Sequence, residues 1–303
     1  MSEAFTALPD SAARYRMSGM SILVSPQALN DLIHQGHRYT LLASLWGTGE
    51  YDGAQQFQSL HIPTAQYCDT AGALAGLPGS RDGRNPMPDP KLLQKHFETW
   101  GLRQDRPVIV YDEGRGLFAG RAWWILRWAG VQDVHILDGG FANWRRHKLP
   151  TLTGPGNISV ETDQIVNPQP QMVATIEDVK AHTGILLDTR EANRFAGRRE
   201  NLDLKAGHIP GAINIPQRDF HHADRTWKSK EEISALFQQA GINKDNVKDT
   251  IVYSGSGNHS ALALAAMEWI GLTGARHYVG GWSQWSANPV NHVERGDRTA
   301  III

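Results

Sequence analysis

The strongest constraint on the fold is an internal repeat. Segments 107–144 and 250–285 have the same order of features: a β-branched strand, a glycine-containing loop, an apolar helix, a second strand, and a Gly-Gly turn before a tryptophan. The Val-Tyr pairs at 110–111 and 252–253 are 142 residues apart, and the His-Ile-Pro tripeptides at 61–63 and 208–210 are 147 apart. Landmarks that recur in one order at nearly one offset indicate a duplicated domain. The alternation of strands and helices predicts an α/β fold in each copy, with a mostly parallel sheet flanked by helices.

Length and charge narrow the class of protein. The 303 residues suffice for two domains that each have a core. The formal net charge of −1 gives no reason to expect a nucleic acid or an anionic membrane as partner. No run of about eighteen apolar residues is present, so no membrane span is predicted. The single cysteine excludes an internal disulfide and favours a reducing compartment, so we expect a cytoplasmic protein.

Four segments are predicted along the chain. Residues 1–20 are polar and lack the apolar centre of a signal peptide, so they are expected to form a disordered lead-in. Residues 21–150 form the first domain, 151–172 a linker rich in proline and glycine, and 173–303 the second domain. Within the first domain, segment 71–90 is rich in turn residues and predicts a long loop that covers the site.

The candidate site is the loop of the second repeat, Ser254-Gly255-Ser256-Gly257, followed by Asn258 and His259. The backbone N–H groups of such a loop, at the start of a helix, can hold an anion, and the helix dipole adds partial positive charge. A tight turn that binds nothing fits the loop alone equally well. The first repeat has Asp112-Glu113-Gly114-Arg115 at this place, which suggests one working site and one supporting copy.

Taken together, these motifs resemble the two-domain rhodanese family, the thiosulfate and 3-mercaptopyruvate sulfurtransferases. The resemblance spans residues 23–294 and rests on both His-Ile-Pro landmarks, on 185–197 (ILLDTREANRFAG), on 206–216 (AGHIPGAINIP) and on 280–285 (GGWSQW). It implies two tandem rhodanese-like domains, of which the first is non-catalytic and the second carries the active-site loop. It also implies thiosulfate or 3-mercaptopyruvate as donor, a thiol, sulfite or cyanide as acceptor, and neither cofactor nor metal.

One residue departs from the family pattern. The family's catalytic cysteine opens the loop, whereas this chain has Ser254 there. A thiolate carries sulfane sulfur as a persulfide, and a hydroxyl cannot form the S–S bond that this requires. We therefore expect no turnover by the family's mechanism, either because Ser254 is an introduced substitution or because a natural site is silenced. Asn258 and His259, where active relatives usually carry Val-Thr, favour natural divergence.

The residues of this loop indicate which substrate the protein would take and which other functions it could have. Gly255-Ser256-Gly257 resembles the 3-mercaptopyruvate type, since the thiosulfate-preferring type usually carries Arg and Lys within the loop. A non-catalytic oxyanion-binding or regulatory module is the main alternative to a sulfurtransferase. A rhodanese-like phosphatase is disfavoured, because its longer loop with a cysteine and a closing arginine is missing.

The resemblance assigns Arg194 to substrate binding. Arg194 stands in Asn193–Gly197, which matches the family's Gly-Arg-aromatic-x-Gly motif except at its first glycine. Its planar guanidinium suits bidentate recognition of a sulfonate or carboxylate. A surface ion pair with Glu191 or Glu200 is the alternative interpretation.

The resemblance further implies a proton relay in which His61 and an upstream acid join Ser256. Asp52 is the candidate acid, with Glu50 as an alternative, although its spacing departs from the family's usual one. His208 occupies the place of His61 in the second repeat. A shared structural role, with the imidazole bonding the backbone of a turn, is therefore the favoured interpretation.

Three further groups are interpreted as structural. Cys68 aligns with Ile215 of the second repeat, which predicts an inert thiol in an apolar core. His221-His222 lacks a third ligand at metal-binding spacing and is expected in a solvated loop. Trp123, Trp124 and Trp128 share a helix face and predict a core or a domain interface.

Overall fold

The computed structural model describes residues 21–47, 52–159 and 161–297. The predicted disordered segment 1–20 and the alternative relay acid Glu50 lie outside these residues. Among the described residues, no helix is long and apolar enough to cross a membrane.

The first domain is a parallel sheet with helices on its faces. Its five strands lie in the order β1-β5-β4-β2-β3, and every neighbouring pair is parallel. The strands are β1 (Leu23–Val24), β2 (Thr40–Leu45), β3 (Gln66–Asp69), β4 (Val108–Tyr111) and β5 (Val134–Leu137). The helices are α1 (Pro26–His34), α2 (Gly53–Ser59), α3 (Thr70–Ala73), α4 (Pro90–Trp100), α5 (Leu117–Trp128) and α6 (Gly140–Arg146).

Local signals explain where these elements begin and end. Ser25 caps α1 by accepting a hydrogen bond from the Ala28 N–H, and Asp89 caps α4 in the same way. The left-handed backbone of Gly101, with φ of 56°, ends α4. β2 and β4 are buried along their whole length, as expected of central strands covered on both faces.

The second domain repeats this plan. Its sheet has the order β7-β6-β8-β9, again entirely parallel. Val173 adds a parallel bridge to His277 of β9, at the place that β1 takes beside β5. The strands are β6 (Ile185–Asp188), β7 (Ile213–Asn214), β8 (Thr250–Tyr253) and β9 (Arg276–Tyr278). The helices are α7 (Ile176–Ala181), α8 (Ala192–Phe195), α9 (Lys230–Gln239), α10 (Asn258–Trp269) and α11 (Gly281–Ala287).

Equivalent residues make equivalent contacts in the two copies. The Tyr111 hydroxyl accepts the Ile62 N–H at 3.3 Å, and the Tyr253 hydroxyl accepts the Ile209 N–H at 3.2 Å. The indole of Trp144 donates to the Pro150 carbonyl, and that of Trp285 to the His292 carbonyl. The residues that defined the repeat in the sequence therefore make the same hydrogen bonds in each domain.

The two domains share a core through α5 and α10. A Cβ on Gly120 would lie 2.8 Å from the Cβ of Leu262, so glycine is what permits the two helices to approach this closely. Trp124 of α5 meets His277 of the second sheet edge to face, with ring centroids 4.4 Å apart. The tryptophans of α5 therefore form core and domain interface, as predicted. Segment 151–172 runs back along the first domain, where its Asn157 N–H donates to the Ala65 carbonyl.

Candidate functional site

Ser254 lies at the carboxyl end of β8, in the middle of the second sheet. Its side chain is buried, and its Oγ accepts the Gly257 N–H at 3.1 Å. Gly257 has φ of 88°, which glycine adopts without strain, and it leads directly into α10. The Gly-Gly turn supports the loop from below, because the Trp282 N–H donates to the Ser254 carbonyl and the Ser283 N–H to the Gly255 carbonyl. The loop thus presents a helix N-terminus at the edge where ligands bind in open parallel sheets.

The first domain shows what this loop geometry does. Asp112 follows Tyr111 as Ser254 follows Tyr253, and its carboxylate accepts four backbone N–H groups of its own loop. The donors are those of Gly114, Gly116, Phe118 and Ala119, at 2.7, 3.0, 3.0 and 3.3 Å respectively. The first copy therefore fills its cradle with its own anion. Ser254 at the equivalent place is uncharged, and its Oγ accepts one backbone N–H of its loop, that of Gly257.

Two arginines converge on Gly255. A Cβ on Gly255 would lie 3.4 Å from Arg194 Nη1 and 3.0 Å from Arg84 Nη2. Arg194 also donates to Glu200 at 2.7 Å and to Asp203 at 2.9 Å, and Arg84 pairs with the same Asp203. Burial, and then the charge of Arg194, lower the pKa of Arg84. Arg194 thus makes the ion pair of the alternative interpretation and also faces the loop.

Segment 71–90 of the first domain lies over the loop. The Asn85 amide donates to Ser256 Oγ at 2.9 Å, and the Arg84 N–H donates to Ser283 Oγ at 3.1 Å. Gln284 donates to the Arg81 carbonyl at 2.5 Å. The structure therefore places this segment where the turn-rich composition predicted a covering loop. Arg84 and Asn85 themselves were not predicted.

Two buried arginines complete the surroundings. Arg121 of α5 donates to the carbonyls of Leu74, Asn85 and Pro86, while its Nη1 makes no hydrogen bond. That Nη1 would lie 2.8 Å from a Cβ on Gly257. Burial lowers the pKa of Arg121 to about 9. Arg190 pairs with Asp188 and lies over the Trp282 ring. Its place in the Asp-Thr-Arg triplet was a usable signal, whereas nothing in the sequence pointed to Arg121.

A chain of polar contacts extends from Ser254 into the core. Ser254 Oγ lies 3.0 Å from Ser260 Oγ, which lies 2.6 Å from His277 Nε2. Burial, followed by the charge of Arg121, holds the pKa of His277 well below its ordinary value. Sequence reasoning missed both residues, because a serine on an apolar helix and a histidine in a strand carry no signal of their own.

The expected relay of Asp52, His61 and Ser256 is not assembled in the structure. His61 is buried in its own domain, where its Nδ1 bonds the Phe57 carbonyl at 2.8 Å and its ring stacks on Phe57. Asp52 caps α2 by accepting the Ala54 N–H, and Ser256 bonds Asn85 instead. His208 bonds the Phe195 carbonyl and stacks on Phe195 in the same manner. Both histidines thus have the shared structural role, because each imidazole bonds the carbonyl of a phenylalanine in the preceding helix and stacks on its ring.

Asn258 and His259 form the first turn of α10. Burial, and then the charge of Arg194, lower the pKa of His259 to about 4. His259 also lines a cavity of about 370 Å³ between the domains, together with His221 and His222. His221 is half-buried, and burial lowers its pKa to about 4, whereas His222 is exposed, so the prediction of a solvated loop holds for His222 alone. Among the residues that the structure describes, no cluster of three or more potential ligands could hold a metal ion.

Cys68 lies in β3, away from this site. Its thiol is fully buried and free, and burial raises its pKa strongly. It packs in the apolar core with Leu42 and Leu74. A buried thiol with a raised pKa is a poor nucleophile.

Comparisons with known proteins identify the family of this two-domain fold. The family model described as "Rhodanese-like domain" matches residues 50–147 and 169–288. The chain is 35% identical over 280 residues to a putative thiosulfate sulfurtransferase, SseB of Mycobacterium tuberculosis, covering 91% of this chain and 97% of that protein. It is 36% identical over 253 residues to a probable 3-mercaptopyruvate sulfurtransferase of Pseudomonas aeruginosa, covering 81% and 88%. Among solved structures, the 3-mercaptopyruvate sulfotransferase SseA of Escherichia coli aligns with a TM-score of 0.75 at 30% identity, covering 87% of this chain and all of that one.

Proposed function

The chain belongs to the rhodanese family, and we propose that it is a sulfurtransferase-type protein whose second-domain loop binds a small sulfur oxyanion but whose Ser254 does not carry sulfur. The donor class is thiosulfate or 3-mercaptopyruvate, and the acceptor is a thiol, sulfite or cyanide. The first domain, to about residue 150, supplies the covering segment and α5, and the second domain, from about residue 173, supplies the loop.

One observation carries this proposal: the loop after β8 lies between a strand and a helix N-terminus, as does the first-domain loop that holds the Asp112 carboxylate, but it carries an uncharged side chain. Gly255, Ser256 and Gly257 surround the anion position, and Asn258 and His259 form the helix turn behind it. Arg194 and Arg84 approach from two domains with guanidinium groups that suit a sulfonate or carboxylate. Burial of the loop strengthens each of these interactions.

The chemistry of sulfur transfer explains why Ser254 cannot accept sulfur from a donor. In the reaction proposed for a cysteine at this position, the thiolate attacks the outer sulfur of thiosulfate. A new S–S bond forms, the S–S bond of thiosulfate breaks, and sulfite leaves with the bonding electron pair. The loop N–H groups and the Ser260 hydroxyl would stabilise the thiolate and the persulfide. A serine oxygen cannot form the S–S bond, so the sequence with Ser254 binds the donor without transferring sulfur.

The experiment compares the chain with Ser254 and its Ser254→Cys variant in a cyanide-dependent thiocyanate assay. We expect no thiocyanate above background from the former and measurable turnover from the latter, with either donor. The ratio of rates with 3-mercaptopyruvate and thiosulfate assigns the preferred donor. Turnover by the chain with Ser254 would contradict the proposal.

A second function, an oxyanion-binding or regulatory module without catalysis, is favoured by one specific observation. Ser254 is integrated into a buried chain with Ser260 and His277. These hydrogen bonds fit a serine hydroxyl, as expected if serine is the native residue at this position. An inactive Ser254→Cys variant that still binds sulfate would support this function over a silenced enzyme. For either function, the single buried thiol suits a reducing compartment, and we propose a cytoplasmic location.

A further inference from the structure

Two arginines from different domains share one carboxylate beside the loop. Asp203 Oδ1 accepts a hydrogen bond from Arg84 Nη1, and Asp203 Oδ2 accepts one from Arg194 Nη2 at 2.9 Å. Arg84 lies in segment 71–90, which covers the loop from the first domain, and Arg194 lies in α8 of the second domain. The carboxylate of Asp203 therefore joins a cation from each domain, with one oxygen for each.

The second terminal nitrogen of each guanidinium lies against the loop. A Cβ on Gly255 would lie 3.0 Å from Arg84 Nη2 and 3.4 Å from Arg194 Nη1. Within the described part of the chain, the side-chain hydrogen bonds of the two arginines use the opposite nitrogens, Arg84 Nη1 and Arg194 Nη2. The two nitrogens that face Gly255 are therefore available to a ligand. One oxyanion group over Gly255 can accept from both of them, because each guanidinium holds its N–H groups in a fixed plane.

Asp203 is itself held in place by Glu200. Glu200 Oε1 accepts the backbone N–H groups of Leu202 and Asp203 at 2.9 and 3.0 Å. The same oxygen accepts Arg194 Nη2 at 2.7 Å. The side chains of both acids are 4% exposed, whereas those of Arg84 and Arg194 are 33% and 17% exposed. The carboxylates thus form a buried support, and the arginines keep contact with the solvent from which an anion arrives.

Asp203 has two opposite effects on an anion at the loop. Its negative charge repels the anion, as any nearby carboxylate does. Its hydrogen bonds fix two long side chains that would otherwise have to be ordered when the anion binds, at a cost in entropy for each. Burial, and then the charge of Arg194, lower the pKa of Arg84, as expected of two like charges that lie close together. Without a carboxylate between them, the two guanidinium groups should therefore turn apart.

We propose that Asp203 is a positioning residue, which holds Arg84 and Arg194 side by side so that both bind one oxyanion group over Gly255. The anion is then bound between the two domains, and its affinity depends on a carboxylate whose own charge opposes it. This inference rests on the proposed function in that it takes the loop after β8 as the anion site. It adds a role for Asp203, which belongs to none of the sequence motifs.

Calorimetry of the full chain with inorganic sulfate tests this role through the direction of one change. Asp203→Asn should weaken sulfate binding about tenfold, the scale of ordering two long side chains when the anion binds. If Asp203 acted through its charge alone, the same variant would bind sulfate more tightly, because a repulsive charge next to the anion is removed. The two interpretations therefore predict changes of opposite sign.

A double-mutant cycle separates positioning from a general loss of structure. Arg84→Met should weaken sulfate binding about tenfold, because one charge-assisted hydrogen bond to the anion is lost. With Arg84→Met already present, Asp203→Asn should weaken binding only about threefold or less, since a single arginine remains to be positioned. Asp82→Asn and Arg81→Met change exposed charges of the same covering segment and should alter the affinity less than about twofold.

The outcomes separate this inference from the proposed function. Unchanged or tighter sulfate binding by Asp203→Asn would overturn the positioning role while leaving the anion site intact. An equal loss from Asp203→Asn in both backgrounds, or an unchanged affinity in Arg84→Met, would overturn the shared binding by the two arginines. A parent chain that binds no sulfate would overturn the proposed function itself, and this inference with it.

Discussion

Replacing Ser254 by cysteine should create a thiol that ionises well below the usual pKa. At this position the thiolate would accept the Gly257 N–H and the Ser260 hydroxyl, which now bond Ser254 Oγ. Hydrogen bonds to a charged group contribute about 1.5–3 kcal/mol each. Burial of the group and the nearby Asp188 oppose them at a cost of a few kcal/mol. A net stabilisation of about 2.7 kcal/mol lowers the pKa by about 2 units, from about 8.5 to about 6.5.

Two measurements on Ser254→Cys check this value. The ultraviolet absorbance of the thiolate, taken as the difference from the parent chain, should rise with pH and reach half its maximum near about pH 6.5, about 2 units below a free thiol. Incubation with thiosulfate or 3-mercaptopyruvate should add one sulfur atom, seen in the mass of the intact protein. We expect turnover to be only partly restored, because Asn258 and His259 change the far side of the loop.

The chain provides its own controls. The protein with Ser254 has Cys68 alone, which lies in the first-domain core away from the loop and has a raised pKa, so it should neither ionise near neutral pH nor load sulfur in the folded state. Ser286→Cys places a thiol at another buried serine of the second domain, away from the cradle, and should not load sulfur. A folded Ser254→Cys whose thiolate absorbance appears only near the free value of about pH 8.5, and which takes up no sulfur, would refute the cradle argument. Sulfur on Cys68 of the parent chain would identify a different nucleophile.

Three further predictions concern the charges around the site. Arg194→Ala should weaken sulfate binding by about 1.5–3 kcal/mol in calorimetry, because a charge-assisted bond to the anion is lost. Asp112→Asn should lower the free energy of unfolding by about 2–4 kcal/mol in denaturant titration, since an amide donor would face the N–H groups of the first cradle. His221, His259 and His277 have folded-state pKa values below the unfolded value of about 6.5, two of them about 4. Stability should therefore be kept above about pH 6.5 and fall between about pH 6.5 and 4, by up to about 1.4 kcal/mol per pH unit for each histidine.

Matched variants make these predictions specific. Arg198→Ala removes an exposed arginine of the same segment and should leave sulfate affinity unchanged. Asp245→Asn, at an exposed position, should change the free energy of unfolding by less than about 0.5 kcal/mol. A free energy of unfolding that stays constant between about pH 6.5 and 5 would contradict the pKa directions given for the three histidines.

Much of this protein could be predicted from the sequence, because its signals are local or repeated. The recurrence of Val-Tyr, His-Ile-Pro and Gly-Gly established the duplication, and the period of strands and helices established the α/β class; both are confirmed. The glycines of 254–257 marked the loop because only a few residue types suit a tight strand-to-helix turn. The proline- and glycine-rich composition of 71–90 marked the covering segment for the same reason.

The contacts that surround Ser254 were decided only by the tertiary structure. Arg121 reaches the loop because Gly120 lets α5 lie against α10. That approach brings Gly120 to Leu262, which is 142 residues away in the sequence. Ser260 and His277 meet because β9 lies beside β8. The relay of Asp52 and His61 is not formed, because the imidazole bonds the Phe57 carbonyl of α2. Sequence patterns report which face of an element is buried, whereas the partner buried against it follows from how the two domains pack.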